Sequence, residues 1–141
     1  KNIKLNKDGI SHPMYKHKNK EFDAFCWHYD EAETLPNNAK VLASNNKSDY
    51  QSISFTVNSS KIWAVQYHPE FNPHWMAGLM TQRKDLLLEN KIYNNAFDYE
   101  NEKNILQNYH RLSHKKLNDY FDVIDENKHS LEIKNWLELK F

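Results

Sequence analysis

Up to about residue 90, short apolar runs alternate with turn residues, and beyond it apolar residues recur every three or four positions. The first pattern predicts strands over Phe22 to His28, Val41 to Ser44, Ile53 to Val57 and Ile62 to Tyr67. Leu35-Pro36-Asn37-Asn38 reads as a turn, and Asn45 to Asp49 as a polar loop. Asn58-Ser59-Ser60-Lys61, set between two such runs, predicts a β-hairpin. The hairpin's second arm, IWAVQYH, is almost continuously apolar, which predicts a strand covered on both faces.

The second pattern predicts helices. Asn72 can cap and Pro73 suits a first helical turn. Trp75, Met76, Leu79, Met80, Leu86 and Leu87 then form one apolar stripe to about Glu89. Residues 91 to 99 read as a loop. Ile105, Leu106, Tyr109 and Leu112 predict a second amphipathic helix. Leu117, Tyr120, Phe121 and Ile124 predict a third, and Ile133, Trp136 and Leu137 a fourth. No internal repeat or low-complexity linker is visible.

A length of 141 residues suits a single domain. Nineteen Lys and Arg balance nineteen Asp and Glu, which argues against binding to nucleic acid or to an acidic membrane surface. No apolar run is long enough to cross a bilayer. The one cysteine, Cys26, excludes an internal disulfide framework and a multi-thiolate zinc site, and points to a reducing cytoplasm. Only Gly9 and Gly78 are glycines, too few for a phosphate loop or a dinucleotide fingerprint, so no cofactor is expected. A strained elbow exposing a nucleophile also needs glycine neighbours, and none is present. The abundance of Asn and Lys beside only two arginines reads as genome composition. The chain opens on Lys1 rather than Met, which reads as a start that has been cut.

The sharpest local chemistry is Gln66-Tyr67-His68-Pro69-Glu70-Phe71 at the end of the apolar strand. Pro69 holds His68 extended. Side chains alternate along an extended segment, so His68 and Glu70 face the same way. That suits an imidazole base oriented by a carboxylate, as in activation of a nucleophile. By spacing alone, a structural His–Glu hydrogen bond at a strand end describes it better. His12, His17, His28, His68 and His74 show no metal-ligand spacing. His110 and His114 lie four apart on a predicted helix, but scattered surface histidines describe both sets better, and no metal is expected.

QYHPEF at 66 to 71, behind IWAV, resembles the His–Glu signature of the class I (triad-type) glutamine amidotransferases. HPMYKHK at 12 to 18, FDAFCWHYDEAETLP at 22 to 36, KVLASNN at 40 to 46 and DYQSISF at 49 to 55 resemble the second half of such a domain in order and spacing. EIKNWLE at 132 to 138 resembles the ending of a bacterial subgroup similar to the glutaminase domain of GMP synthase.

The resemblance implies an α/β fold. It would be the C-terminal portion of a flavodoxin-like domain, a mixed β-sheet with flanking helices, over residues 1–90, plus a helical tail over 91–141. It also implies a Cys–His–Glu triad hydrolysing glutamine, or another γ-glutamyl compound, with the ammonia passing to a synthetase partner. His68 is then the base and Glu70 its orienter. His28, Tyr29 and Asp30 occupy a loop that in the family lies beside bound glutamine. The family's G-x-C-x-G-x-Q nucleophile motif is not found in these residues. Cys26, between Phe25 and Trp27 in a predicted strand, reads as a buried structural thiol. The expectation is therefore a fragment, inactive alone, whose unpaired sheet edge meets a missing N-terminal half or a second copy. The competing expectation is a non-catalytic remnant serving as a binding or scaffolding module. The tail either caps the sheet or docks a partner through Trp136 and Leu137.

Overall fold

The computed structural model describes residues 2–112 and 117–139. Five strands, β1 (Ile3–Leu5), β2 (Glu21–Phe22), β3 (Lys40–Ser44), β4 (Ser52–Val57) and β5 (Ser60–Val65), form one sheet in the order β2-β1-β3-β4-β5. Every pairing between these strands is antiparallel. Helices flank the sheet, so the α/β class expected from the family resemblance is what the structure shows. These are α1 (Lys7–Ser11), α2 (Pro73–Gln82), α3 (Lys84–Glu89), α4 (Ala96–Asn108), α5 (Phe121–Ile124), α6 (Glu126–His129) and α7 (Leu131–Leu137).

Two apolar clusters carry the packing. The first joins Ile3, Met14, Tyr15, Phe22, Leu42 and Tyr67 where α1 and the 3-10 turn Pro13–Tyr15 meet the sheet. The second joins Met76, Ala77, Met80, Leu87, Tyr99 and Leu106 between α2, α3 and α4. Phe25 and Trp27 pack against this second cluster. The segment after β2 therefore bridges the sheet and the helices.

Several elements differ from the pattern reading. The strand expected over Phe22 to His28 is regular only at Glu21–Phe22, and an isolated bridge between Cys26 and Tyr67 is all that remains of the rest. The hairpin turn narrows to Asn58-Ser59, with Asn58 at a φ of 54°. Among the described residues β5 is an edge strand paired only with β4, and its residues from Ile62 to Val65 are half-buried rather than covered on both faces. Its aromatic and β-branched content suits any pleated, partly buried surface, so composition alone did not distinguish edge from centre.

The helix expected to Glu89 breaks at Arg83, whose backbone N–H closes on Leu79 and Met80 carbonyls. Just before the break, Thr81 Oγ1 donates to Ala77 O at 2.8 Å, a back-bond that bends helices. The loop expected over 91 to 99 is helical from Ala96, because Asn95 Oδ1 accepts the Asp98 N–H at 2.9 Å and caps α4. In α7 the expected apolar stripe is turned outward. Trp136 is 50% and Leu137 69% exposed, whereas Glu132 and Asn135 are buried. Of the proposed two-histidine face, His110 stands in the 3-10 turn Tyr109–Arg111, and His114 lies outside the described residues.

Candidate active site

The polypeptide leaves β5 through Gln66, whose N–H donates to Gln51 O at 2.9 Å, and extends the sheet by one irregular step. His68 N donates to Phe25 O at 2.8 Å, so the segment after β2 also supports the strand end. Pro69 then ends the ladder, and Asn72 begins α2 by accepting the Trp75 N–H at 2.9 Å. His68 and Glu70 thus stand on a short rigid bridge between β5 and α2.

There the two side chains meet. His68 Nδ1 lies 2.8 Å from Glu70 Oε1, with the imidazole side chain 28% and the carboxylate side chain 53% exposed. A carboxylate offers only acceptors, so Nδ1 carries the hydrogen, and in the neutral imidazole Nε2 keeps its lone pair. The imidazole is further held by Phe71, whose ring stacks on it at a centroid distance of 4.1 Å and an interplanar angle of 8°. Phe71 in turn stacks on Trp75 at 5.6 Å. Spacing did not single out Phe71, although an aromatic three residues beyond a histidine at a helix approach is the signal that could have done so.

His28, Tyr29 and Asp30 occupy an exposed loop. His28 Nδ1 lies 3.0 Å from the Asp30 carbonyl, a contact within the loop itself. Tyr29 is 67% exposed. No hydrogen bond joins this loop to His68 or Glu70 among the described residues, and the two sets are connected through the Phe25–His68 backbone bond. Residues 25 to 29 line one wall of a largely apolar cavity of about 150 Å³, closed opposite by Met76, Met80, Tyr93 and Leu106.

Cys26 pairs across its bridge with Tyr67, and so belongs to the side of the strand opposite His68. It packs against the cluster that contains Tyr67, and burial pushes its thiol up. A thiol in that setting stays protonated and unreactive. His12 Nδ1 accepts the Met14 N–H and its ring meets Trp63 edge-on at 4.9 Å. Burial, then Lys40, lowers its pKa. His74 approaches His110 at a centroid distance of 6.0 Å. Among the described residues no group of three His, Cys, Asp or Glu side chains is placed to hold a metal ion. Within the same residues, no helix is long and apolar enough to cross a membrane.

Comparison with known proteins fits this arrangement. The profile of the family described as glutamine amidotransferase class-I matches residues 1–84. A γ-glutamyl-L-1-hydroxyisopropylamide hydrolase from a Pseudomonas species is 30% identical over 142 aligned positions, which cover 96% of this chain and 48% of that protein. The crystal structure of SMU.1228c matches with a TM-score of 0.54 and 25% identity, over 78% of this chain and 49% of its own. The chain therefore spans about half the length of the relatives it matches.

Proposed function

The chain belongs to the class I glutamine amidotransferase family, and from that premise we propose that it supplies the base and the orienting carboxylate of a Cys–His–Glu triad that hydrolyses a γ-glutamyl amide. The observation that carries this reading is the 2.8 Å contact between His68 Nδ1 and Glu70 Oε1, which leaves Nε2 as the proton acceptor.

In the proposed reaction Nε2 takes the proton of a cysteine thiol, and the thiolate attacks the γ-carbonyl carbon. The C–N bond breaks as the imidazolium returns that proton to the departing amine. Water, deprotonated by Nε2, then cleaves the γ-glutamyl thioester and regenerates the thiol. Glu70 holds the imidazole in one tautomer and stabilises its charged form. His28, Tyr29 and Asp30 meet the amino and carboxylate groups of the substrate. The nucleophile comes from outside these 141 residues, on a segment or partner that also satisfies the open edge of β5.

Residues 1–90 then form the C-terminal part of the amidotransferase domain and 91–141 its helical tail. The substrate is glutamine or another γ-glutamyl amide, and a Pseudomonas relative named for one such amide supports the wider class. Where glutamine is the substrate, a cytoplasmic synthetase takes the ammonia. The finer affinity, to the glutaminase domain of bacterial GMP synthase, rests on EIKNWLE along α7 and on nothing else.

The experiment measures release of ammonia from glutamine, and of amine from γ-glutamyl alkylamides, by the natively expressed protein and by these 141 residues alone. The native protein is expected to turn over and the 141 residues to be silent. His68→Ala should lower kcat by about 10³-fold or more while leaving the fold intact, and Glu70→Gln should cost less because it mainly orients. Undiminished turnover in His68→Ala would sink the assignment. A native protein without any hydrolysis would favour a binding or scaffolding module instead.

A further inference from the structure

Tyr67 and His68 leave the strand end on opposite sides, so whatever fixes the Tyr67 side chain also fixes the backbone from which His68 projects. Tyr67 is 2% exposed. Its hydroxyl donates to Glu132 Oε1 at 2.7 Å and lies 2.9 Å from the Tyr15 hydroxyl, which donates back to it. Glu132 Oε2 accepts from Lys18 Nζ at 2.9 Å, and Lys18 also donates to Lys128 O at 2.7 Å. Asn135 Nδ2 donates to Met14 O at 2.8 Å and to Lys16 O at 3.0 Å, tying α7 to the turn that carries Tyr15. A second tie reaches the other side of the base. His129 Nδ1 donates to Pro69 O at 3.0 Å, between His68 and Glu70.

The tail therefore grips the residue before His68 and the residue after it. Its choice of buried side chains is informative. A helix recruited only for stability would bury Ile133, Trp136 and Leu137, since a buried ion pair contributes no more to stability than well-packed apolar groups. α7 instead buries Glu132 and Asn135 and turns Trp136 and Leu137 outward. What fully paired polar groups add is direction, because each hydrogen bond fixes an angle as well as a distance.

We propose that the helical tail is a positioning element for the His68–Glu70 pair, with Glu132 acting through Tyr67 and His129 acting through Pro69. The inference rests on the reading of His68 as the general base, whose geometry must hold within about half an ångström to be productive. Neither tail residue touches the reacting atoms.

Tyr67→Phe removes the hydroxyl tie without emptying the core, and His129→Leu removes the other tie. The test reads the His68 imidazole by long-range proton–nitrogen NMR spectra of the 141-residue chain, with the methyl signals of Met76, Met80 and Leu106 reporting the fold. The unaltered chain should show one tautomer, with hydrogen on Nδ1. The double variant should show a mixture of tautomers while the methyl signals stay in place. His129→Asn, whose amide can replace the Nδ1 donor, should restore the single tautomer beside an intact Tyr67. If the double variant does not fold, each single variant is expected to show a smaller share of the second tautomer.

In the natively expressed protein the same variants should lower kcat about tenfold or more with KM little changed. An unaltered His68 tautomer in folded tail variants overturns the proposal, as does identical behaviour of His129→Leu and His129→Asn. An inactive native protein would defeat the catalytic reading and leave the NMR outcome standing on its own.

Discussion

His68 and Cys26 are neighbours through one backbone hydrogen bond from His68 N to Phe25 O, yet they face different surroundings. His68 projects from the strand end with a carboxylate partner and a stacked ring, open enough to meet a substrate. Cys26 shares the buried side with Tyr67, and the apolar surroundings disfavour its thiolate. Spatial closeness to a histidine therefore does not by itself make a cysteine its nucleophile. A thiol-specific disulfide reagent at mildly alkaline pH should modify Cys26 at least about tenfold more slowly in the native chain than in urea, because only the thiolate reacts. Equal rates would mean that the thiol is accessible. Cys26→Ser should leave the hydrolysis rate of the natively expressed protein unchanged.

At the scale of elements, α1 shows how closely a short helix can be tied to the sheet. Asn6 caps it by accepting the Gly9 N–H at 2.9 Å, and the Asn6 side-chain amide donates to Val41 O at 2.7 Å. Gly9 sits against β3 so tightly that a Cβ there would fall inside the Leu42 carbonyl. Backbone cannot yield as a side-chain tip does, so Gly9→Ala should cost about 1–3 kcal/mol, read as a lower midpoint in urea with an unchanged slope. Gly78 faces open space in α2, and Gly78→Ala should be neutral or stabilising by up to about 1 kcal/mol. A Gly9→Ala midpoint equal to that of the unaltered chain would refute the tight approach of α1 to β3.

At the scale of the molecule, a buried polar network ties the first cluster to α7, and that sets the pH response. Tyr15 and Tyr67 both have phenols raised above the ordinary value of about 10, chiefly by burial, with Glu132 adding to the effect. A group whose folded pKa is raised contributes stability that is complete below its unfolded pKa and lost as pH rises past it. Above pH about 10 each phenol that ionises only in the unfolded chain should therefore cost about 1.4 kcal/mol per pH unit. Lys18, lowered by burial, opposes this only between its folded pKa and the ordinary lysine value of about 10.4. Alkaline unfolding should thus be steep, with the part of the tyrosinate absorbance that Tyr67→Phe lacks rising together with the loss of far-ultraviolet circular dichroism. Tyr67→Phe should make the slope shallower. Tyrosinate of Tyr67, read as that same difference, appearing well before unfolding would show that this phenol is not sequestered.

Local features of the sequence determined the hairpin, the Asn72–Pro73 helix start and the placing of His68 and Glu70 on one side of an extended segment. Each of these rests on period, on capping, or on the restriction proline puts on its neighbour. The break at Arg83 and the cap at Asn95 were also local, but their signals, a Thr back-bond and an Asn three residues before an Asp, are weaker than the apolar period around them. Tertiary structure alone decided that β5 lies at an edge, that the stripe of α7 faces outward, and that Glu132, Lys18, Tyr15 and Tyr67 meet. These residues are separated by up to 117 positions, from Tyr15 to Glu132. Periodicity reports only which residues share a face, whereas the partner that face receives depends on how distant segments close together.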